Sequence, residues 1–165
     1  MIATIKVKDY SPMNFVLDEK NAPISVKNFV ELAKKGFYTG LIFHRVIPSF
    51  MIQGGGMDEQ MKEKRGLKPI KGEFIANGVN NTLKHKTGVL SMARTMVPDS
   101  ATSQFFICVT DVPHLDGQYA AFGYAADEET KKTAIEISRV KTGNFGYYAD
   151  VPLSPIVIES VTVSE

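Results

Sequence analysis

Short runs that alternate between apolar and polar residues, or are continuously apolar, recur along most of this chain. They cover Ile2 to Val7, Met13 to Leu17, Phe43 to Ile47, Phe50 to Gln53, Gly88 to Met92, Ser103 to Val109, Tyr119 to Gly123 and Ile156 to Val163. Bounded by turn-forming residues, they predict about eight strands. Too few helical stretches lie between them for repeated parallel crossovers, so the pairing is expected to be antiparallel. An even number of strands in one modest domain suits a closed barrel, which has no exposed edge.

Two segments carry a different period. In SVKNFVELAKKG, the apolar Val26, Phe29, Val30 and Ala33 are spaced to form one helical stripe, with Ser25 placed to cap and Gly36 to stop. In DEETKKTAIEISRVKTG, Asp127, Glu128 and Glu129 suit a helix start, while Arg139, Lys141 and Gly143 suit its end. Ala134, Ile137 and Val140 would face inward. The fold predicted is therefore mainly β, an eight-stranded antiparallel β-barrel capped by two α-helices. Residues 54–87 are the least regular stretch, and a long irregular segment in a compact domain is usually functional or unusually wrapped.

Length and composition narrow the class of protein. The chain of 165 residues suits one domain, 1–165, with a sizeable core. A formal charge of +1 provides no general field for nucleic acid or an anionic membrane. The basic residues Lys62, Lys64, Arg65, Lys68 and Lys71 are interrupted by Glu63 and Glu73 and read as a solvated loop. The first twenty residues alternate and carry charges from Lys6 onward, unlike the core of a signal peptide. No run approaches the roughly 18 apolar residues of a membrane span. With one Cys, an intramolecular disulfide is impossible, and a reducing cytoplasm is the expected location.

Strand parity organises the polar residues. Phe43, Arg45 and Ile47 should share one side of their strand, with His44 and Val46 on the other. Met51 and Gln53 share a face. Gln104, Phe106 and Cys108 share another, opposite the clean core face of Phe105, Ile107 and Val109. If these strands are neighbours, the outer wall of the barrel carries an apolar patch edged by Arg45, Gln53 and Gln104, a mixture that suits a binding site.

Other chemistries find little support. Cys108 lies mid-strand with no His at a spacing that implies proximity, so it reads as an inert buried thiol rather than the nucleophile of a hydrolase. His44, His85 and His114 are scattered, and no cluster has metal-ligand spacing. Asp116 in LDGQ is a turn residue. The glycines of GGGMDEQ lack the Lys and Ser/Thr of a phosphate loop.

FHRVIPSFMIQGGG, GVLSMART and SQFFICVTDVPHLDGQYAAFG, in that order and preceded by the first helix, resemble the cyclophilin family of peptidyl-prolyl cis-trans isomerases, in particular its small bacterial members. The resemblance covers roughly the whole chain. It implies an eight-stranded barrel with two capping helices and an enzyme, without cofactor or metal, that speeds rotation about X-Pro bonds and assists protein folding. Arg45 would be the catalytic arginine and Gln53 a ligand to the substrate backbone. Phe50, Met51, Phe106 and Leu115 would wall the proline pocket, with Gln104 at a further site position. The backbone around Ala93 and Arg94 would pair with the bound peptide.

Three residues depart from common family patterns. Arg94 stands where many members have Asn, His114 where Trp or Phe is common, and Tyr119 where His is common. Tyr119 keeps an aromatic wall; His114 removes a large apolar surface, so the family inhibitor cyclosporin is expected to bind with weakened affinity. The implied partners are proline-containing peptides and unfolded proteins, met by a cytoplasmic monomer. A noncatalytic proline-peptide-binding or holdase module on the same fold is the alternative.

Overall fold

The period-two alternation of the first runs buries Ala3, Ile5 and Val7 from β1 (Ile2–Val7) and Met13, Phe15 and Leu17 from β2 (Met13–Leu17) in one core. In the computed structural model, which describes residues 1–165, these strands are followed by α1 (Pro23–Lys34), β3 (Arg45–Ile47), β4 (Met51–Gly54), β5 (Val89–Met92) and β6 (Phe105–Cys108). Then come β7 (Ala121–Ala125), α2 (Glu128–Ser138), β8 (Thr142–Phe145), β9 (Tyr148–Pro152) and β10 (Ile158–Ser164). Short 3-10 turns occupy Ile75–Asn77 and Pro113–Leu115.

All eight predicted runs are found in one curled antiparallel sheet with the order β10-β1-β2-β7-β5-β6-β4-β3. The expected closed barrel needs one correction, because the ladder is not continuous between the end strands β3 and β10. The seam is bridged by the extended chain just before each of them. Ile42 pairs with Val157, Phe43 donates its backbone N–H to Ile156, and Ile158 donates to Leu41. These bonds cover the backbone groups that an open edge would leave exposed.

The same seam corrects the expected parity of Phe43. β3 begins only at Arg45, so Phe43 lies outside the alternating ladder and turns into the core, where its ring meets Phe105 edge-on at 5.8 Å. Val46 and Ile52 join it there, as parity predicts for the inward faces of β3 and β4. The Phe29 ring sits within 5.2–5.6 Å of those of Tyr38, Phe105 and Phe122, tying α1 to this core.

Helix α1 buries the predicted stripe of Val26, Phe29, Val30 and Ala33. It starts earlier than its sequence suggests, with Pro23 in the first turn, where a missing N–H costs nothing. Ser25 is consequently not the cap but lies one turn inside. Gly36, at φ +70°, ends the helix as expected, with Gly36 N–H bonding Ala33 O and Phe37 N–H bonding Leu32 O. At the start of α2, Asp127 accepts the Thr130 N–H at 2.8 Å, and the Thr130 side chain first, then this N–H, holds its carboxyl below the ordinary range. Ala134 and Ile137 are buried, whereas Val140 lies beyond the helix and is only half-buried. Gly143, read as a stop, belongs to β8, because the helix already ends at Arg139.

The β8–β9 hairpin has no counterpart among the predicted runs, since its residues are largely exposed on both faces and show no alternation. Of the irregular region 54–87, the first three residues have a packing reason. A Cβ on Gly55 would stand 2.7 Å from the Phe105 ring, and one on Gly56 2.4 Å from the Gln104 side chain. A Cβ on Gly54 would likewise meet Ile42 O at 2.6 Å, so the triple glycine lets the chain pass close against both neighbouring segments. In the basic loop, Lys64 donates to Phe37 O and covers the Phe37 ring at 4.3 Å, while Arg65 pairs with Glu63 at 3.8 Å. No helix is long and apolar enough to cross a membrane.

Candidate functional site

Register, rather than any single residue, assembles the site on the outer wall. Arg45 pairs with Gln53 across β3 and β4, Gln53 with Phe106 across β4 and β6, and Phe106 with Ser91 across β6 and β5. With strands about 4.8 Å apart, this row spaces the backbones of Arg45 and Phe106 roughly 10 Å apart on one face. A parallel row places Ile47, Met51 and Cys108 alongside. Met51, Phe106, Cys108 and Leu115 form a small cluster distinct from the main core, with Phe50 and Tyr119 packed against it.

The resulting cleft of about 200 Å³ is lined by Arg45, Phe50, Met51, Gln53, Ala93, Arg94, Phe106, Leu115 and Tyr119. Of the eleven residues that the sequence nominates, only Gln104 and His114 are missing from this lining. Gln104 lines an adjoining cleft of about 290 Å³, together with Glu63, Thr95, Ser100 and Thr102. His114 is exposed on its 3-10 turn, with its ring stacked at 6.3 Å on that of Phe50.

The polar rim is ordered by its own hydrogen bonds. Arg45 Nη1 donates to Gln53 Oε1 at 3.3 Å, and Gln53 Nε2 donates to Gln104 Oε1 at 2.9 Å. The Arg45 guanidinium is otherwise exposed, leaving most of its donors free for a ligand. Phe50 reaches the cleft from the β3–β4 turn, where Pro48 precedes Ser49 at φ +61°. Arg94 behaves differently from Arg45. Its guanidinium is held between the rings of Phe74 at 4.7 Å and Tyr119 at 4.5 Å, and it donates to the carbonyls of Gln118 and Thr95. It props Tyr119, which meets Phe106 edge-on at 5.7 Å.

Beneath the cleft lies a set of residues that sequence reading did not assemble. His85 Nδ1 is 3.0 Å from Asp116 Oδ1, and its Nε2 is 2.9 Å from Ser91 Oγ. Burial pushes the His85 imidazole below its ordinary value, against the pull of the Asp116 carboxylate. Asp116 does sit in the turn expected of it, but thirty-one residues separate it from His85, so no local pattern could have signalled the pair. Cys108 is fully buried, and burial first, then the Asp116 and Asp111 charges, pushes its thiol up to about 12. A thiol so protonated and enclosed is no nucleophile.

His44, next to Arg45, is buried with its Nδ1 unpartnered. Burial, helped by the Arg45 charge, lowers it from 6.5 to about 4. The folded state therefore favours the neutral ring, and the stability this contributes is complete above pH 6.5 and is lost as pH falls toward 4. The shift corresponds to roughly 3 kcal/mol. Asp99, Asp111 and Asp127, held low by hydrogen bonds, act below this window. Urea unfolding should thus show a clear stability loss between pH 7 and pH 4.5 that shrinks in His44→Phe. An equal loss in both proteins would contradict this origin.

Comparison with known proteins places this geometry in context. Residues 2–163 match the family described as cyclophilin type peptidyl-prolyl cis-trans isomerase/CLD. The chain is 48% identical over 154 residues to peptidyl-prolyl cis-trans isomerase A of Dickeya dadantii, covering 92% of this chain and 78% of that one. It is 46% identical over 154 residues to isomerase B of Escherichia coli, covering 90% of each. A cyclophilin type isomerase of Cryptosporidium parvum, crystallised in the presence of the dipeptide Ala-Pro, superposes with a TM-score of 0.79 at 27% identity. That match covers 100% of this chain and 99% of the other.

Proposed function

The chain belongs to the cyclophilin-type peptidyl-prolyl cis-trans isomerase family, and from that premise we propose that the cleft accelerates rotation about X-Pro bonds, with Arg45 as its catalytic residue. The observation that carries this reading is the row Arg45–Gln53–Phe106, which sets a cation and an aromatic ring in one cleft of about 200 Å³. The whole chain, 1–165, acts as one such domain.

An X-Pro bond resists rotation with a barrier of roughly 18 to 20 kcal/mol because amide resonance is lost on twisting. No covalent bond is made or broken, so neither a nucleophile nor a cofactor is required. Twisting localises the lone pair on the prolyl nitrogen, which then accepts a hydrogen bond that the planar amide cannot. Arg45 provides that donor and so binds the transition state more tightly than the ground state. Phe50, Met51, Phe106, Leu115 and Tyr119 hold the proline ring, and their dry surface favours the less dipolar twisted amide. Gln53 and the Ala93–Arg94 backbone hold the peptide on either side, with Gln104 orienting Gln53.

A rise from about 0.01 to about 1,000 per second needs roughly 7 kcal/mol. One aimed donor typically supplies about 3 to 4 kcal/mol, so orientation and desolvation must contribute the remainder. NMR exchange on a proline tetrapeptide tests the reading directly: the wild-type protein should speed cis-trans exchange. Saturable binding with no faster exchange would favour the noncatalytic binding or holdase module instead.

The substrates are exposed proline segments of flexible or unfolded proteins, acted on by a monomer in the cytoplasm. Cyclosporin should bind weakly, because His114 presents only an exposed imidazole outside the cleft. His114→Trp should tighten that binding, and the chain's lack of any other Trp lets fluorescence report it. A variant that binds no tighter would refute the role given to this position.

A further inference from the structure

Two buried polar side chains and one partly exposed carboxylate meet directly under the pocket floor. The His85 ring lies 6.0 Å from that of Phe106 and 15° from parallel to it. On one side Asp116 Oδ1 accepts both the His85 backbone N–H and, at 3.0 Å, Nδ1–H. On the other, Nε2 lies 2.9 Å from the hydroxyl of Ser91, the residue paired with Phe106 across β5 and β6. A carboxylate can only accept, so the neutral ring carries its proton on Nδ1, and Nε2 accepts from Ser91. The side chains of His85 and Ser91 are closed to solvent, so this is no hydrolytic triad despite its order. It joins the turn that carries Leu115 to the strand that backs Phe106.

We propose that His85 is a positioning residue for the isomerisation: held between Asp116 and Ser91, it keeps the Phe106 floor and the Leu115 wall at the spacing that grips a proline ring. This rests on the isomerase reading above. The grip is shared by ground and transition states, so losing it weakens binding more than it slows the bound step. Removing a buried hydrogen-bonded group of this kind should raise KM about tenfold while kcat stays within about threefold.

The test measures KM, kcat and tetrapeptide affinity for wild type, His85→Leu, Asp116→Ala and Asp116→Asn. His85→Leu and Asp116→Ala should both show the KM rise. Asp116→Asn, which keeps an acceptor oxygen in place, should recover most of it. A merely structural role would instead lower kcat through loss of folded enzyme, with KM unchanged, and would overturn the proposal. So would variants that bind the tetrapeptide as tightly as wild type. Should the wild type bind but not catalyse, the isomerase reading fails, and the affinities alone decide the role of His85. Should the variants fail to fold, the imidazole nitrogens of the wild type still decide. Long-range NMR correlations at pH 7 must show the proton on Nδ1, and an Nε2–H tautomer would overturn the arrangement.

Discussion

Arg45→Ala should lower the isomerisation rate by about a hundredfold or more, the loss typical of removing one donor aimed at a developing charge. The loss should appear in the turnover of bound peptide, with affinity changing far less, because the prolyl nitrogen accepts a hydrogen bond only when twisted. Arg45→Lys should fall between the two: it keeps the charge but loses the planar fork. The side chain's exposure and its long 3.3 Å bond to Gln53 mean that its removal leaves no buried group unpaired, so stability should stay near wild type. Exchange spectroscopy on the tetrapeptide with folded Arg45→Ala decides the matter. Exchange at the wild-type rate would sink the mechanism.

Glu73→Ala should cost about 3 kcal/mol of folding stability, the largest structural effect expected here. Ala22 offers no capping side chain to α1, and Ser25, the residue its sequence offers as a cap, lies inside the helix. The buried Glu73 carboxylate fills that role from a distant loop. It accepts the N–H groups of Ile24 at 3.1 Å and Ser25 at 2.6 Å, along with the Ser25 hydroxyl at 2.8 Å. Its negative charge also suits the positive end of the helix. Truncation leaves these donors unpaired beside a helix whose Phe29 centres the aromatic core. Glu73→Gln retains one acceptor oxygen and should lose about half as much. Urea denaturation is the measurement, and an Ala variant within about 1 kcal/mol of wild type would show that α1 is capped by other means.

Part of the candidate site was legible in strand parity, and Phe50, Ala93, Arg94, Leu115 and Tyr119 came only through the resemblance to the cyclophilin family. The outward placement of Arg45, Gln53 and Phe106 follows from alternation within short runs, and the sheet order makes their strands neighbours. Parity failed at Phe43, where the chain leaves the ladder to bridge the barrel seam. It was silent on His114, since a loop residue has no periodic neighbour to set its direction. Arg94 was read as a substitution within the peptide-binding stretch, but its grip on Phe74 and Tyr119 emerges only when three loops come together.

By itself, the sequence determined the eight strands of the main sheet, most of their inward and outward faces and the two amphipathic helices. These depend on periods of two and 3.6 residues and on local turn preferences, which neighbouring residues along the chain suffice to express. The tertiary structure alone decided the seam of the barrel, the capping of α1 by Glu73, the Gln53–Gln104 contact and the buried His85 between Asp116 and Ser91. Apart from the last bond, to Ser91, the side-chain contacts among these join residues 31 to 51 positions apart, and the seam joins the two ends of the sheet from still farther along the chain. A buried polar group must find its partner wherever the fold delivers one, and no local pattern records that choice.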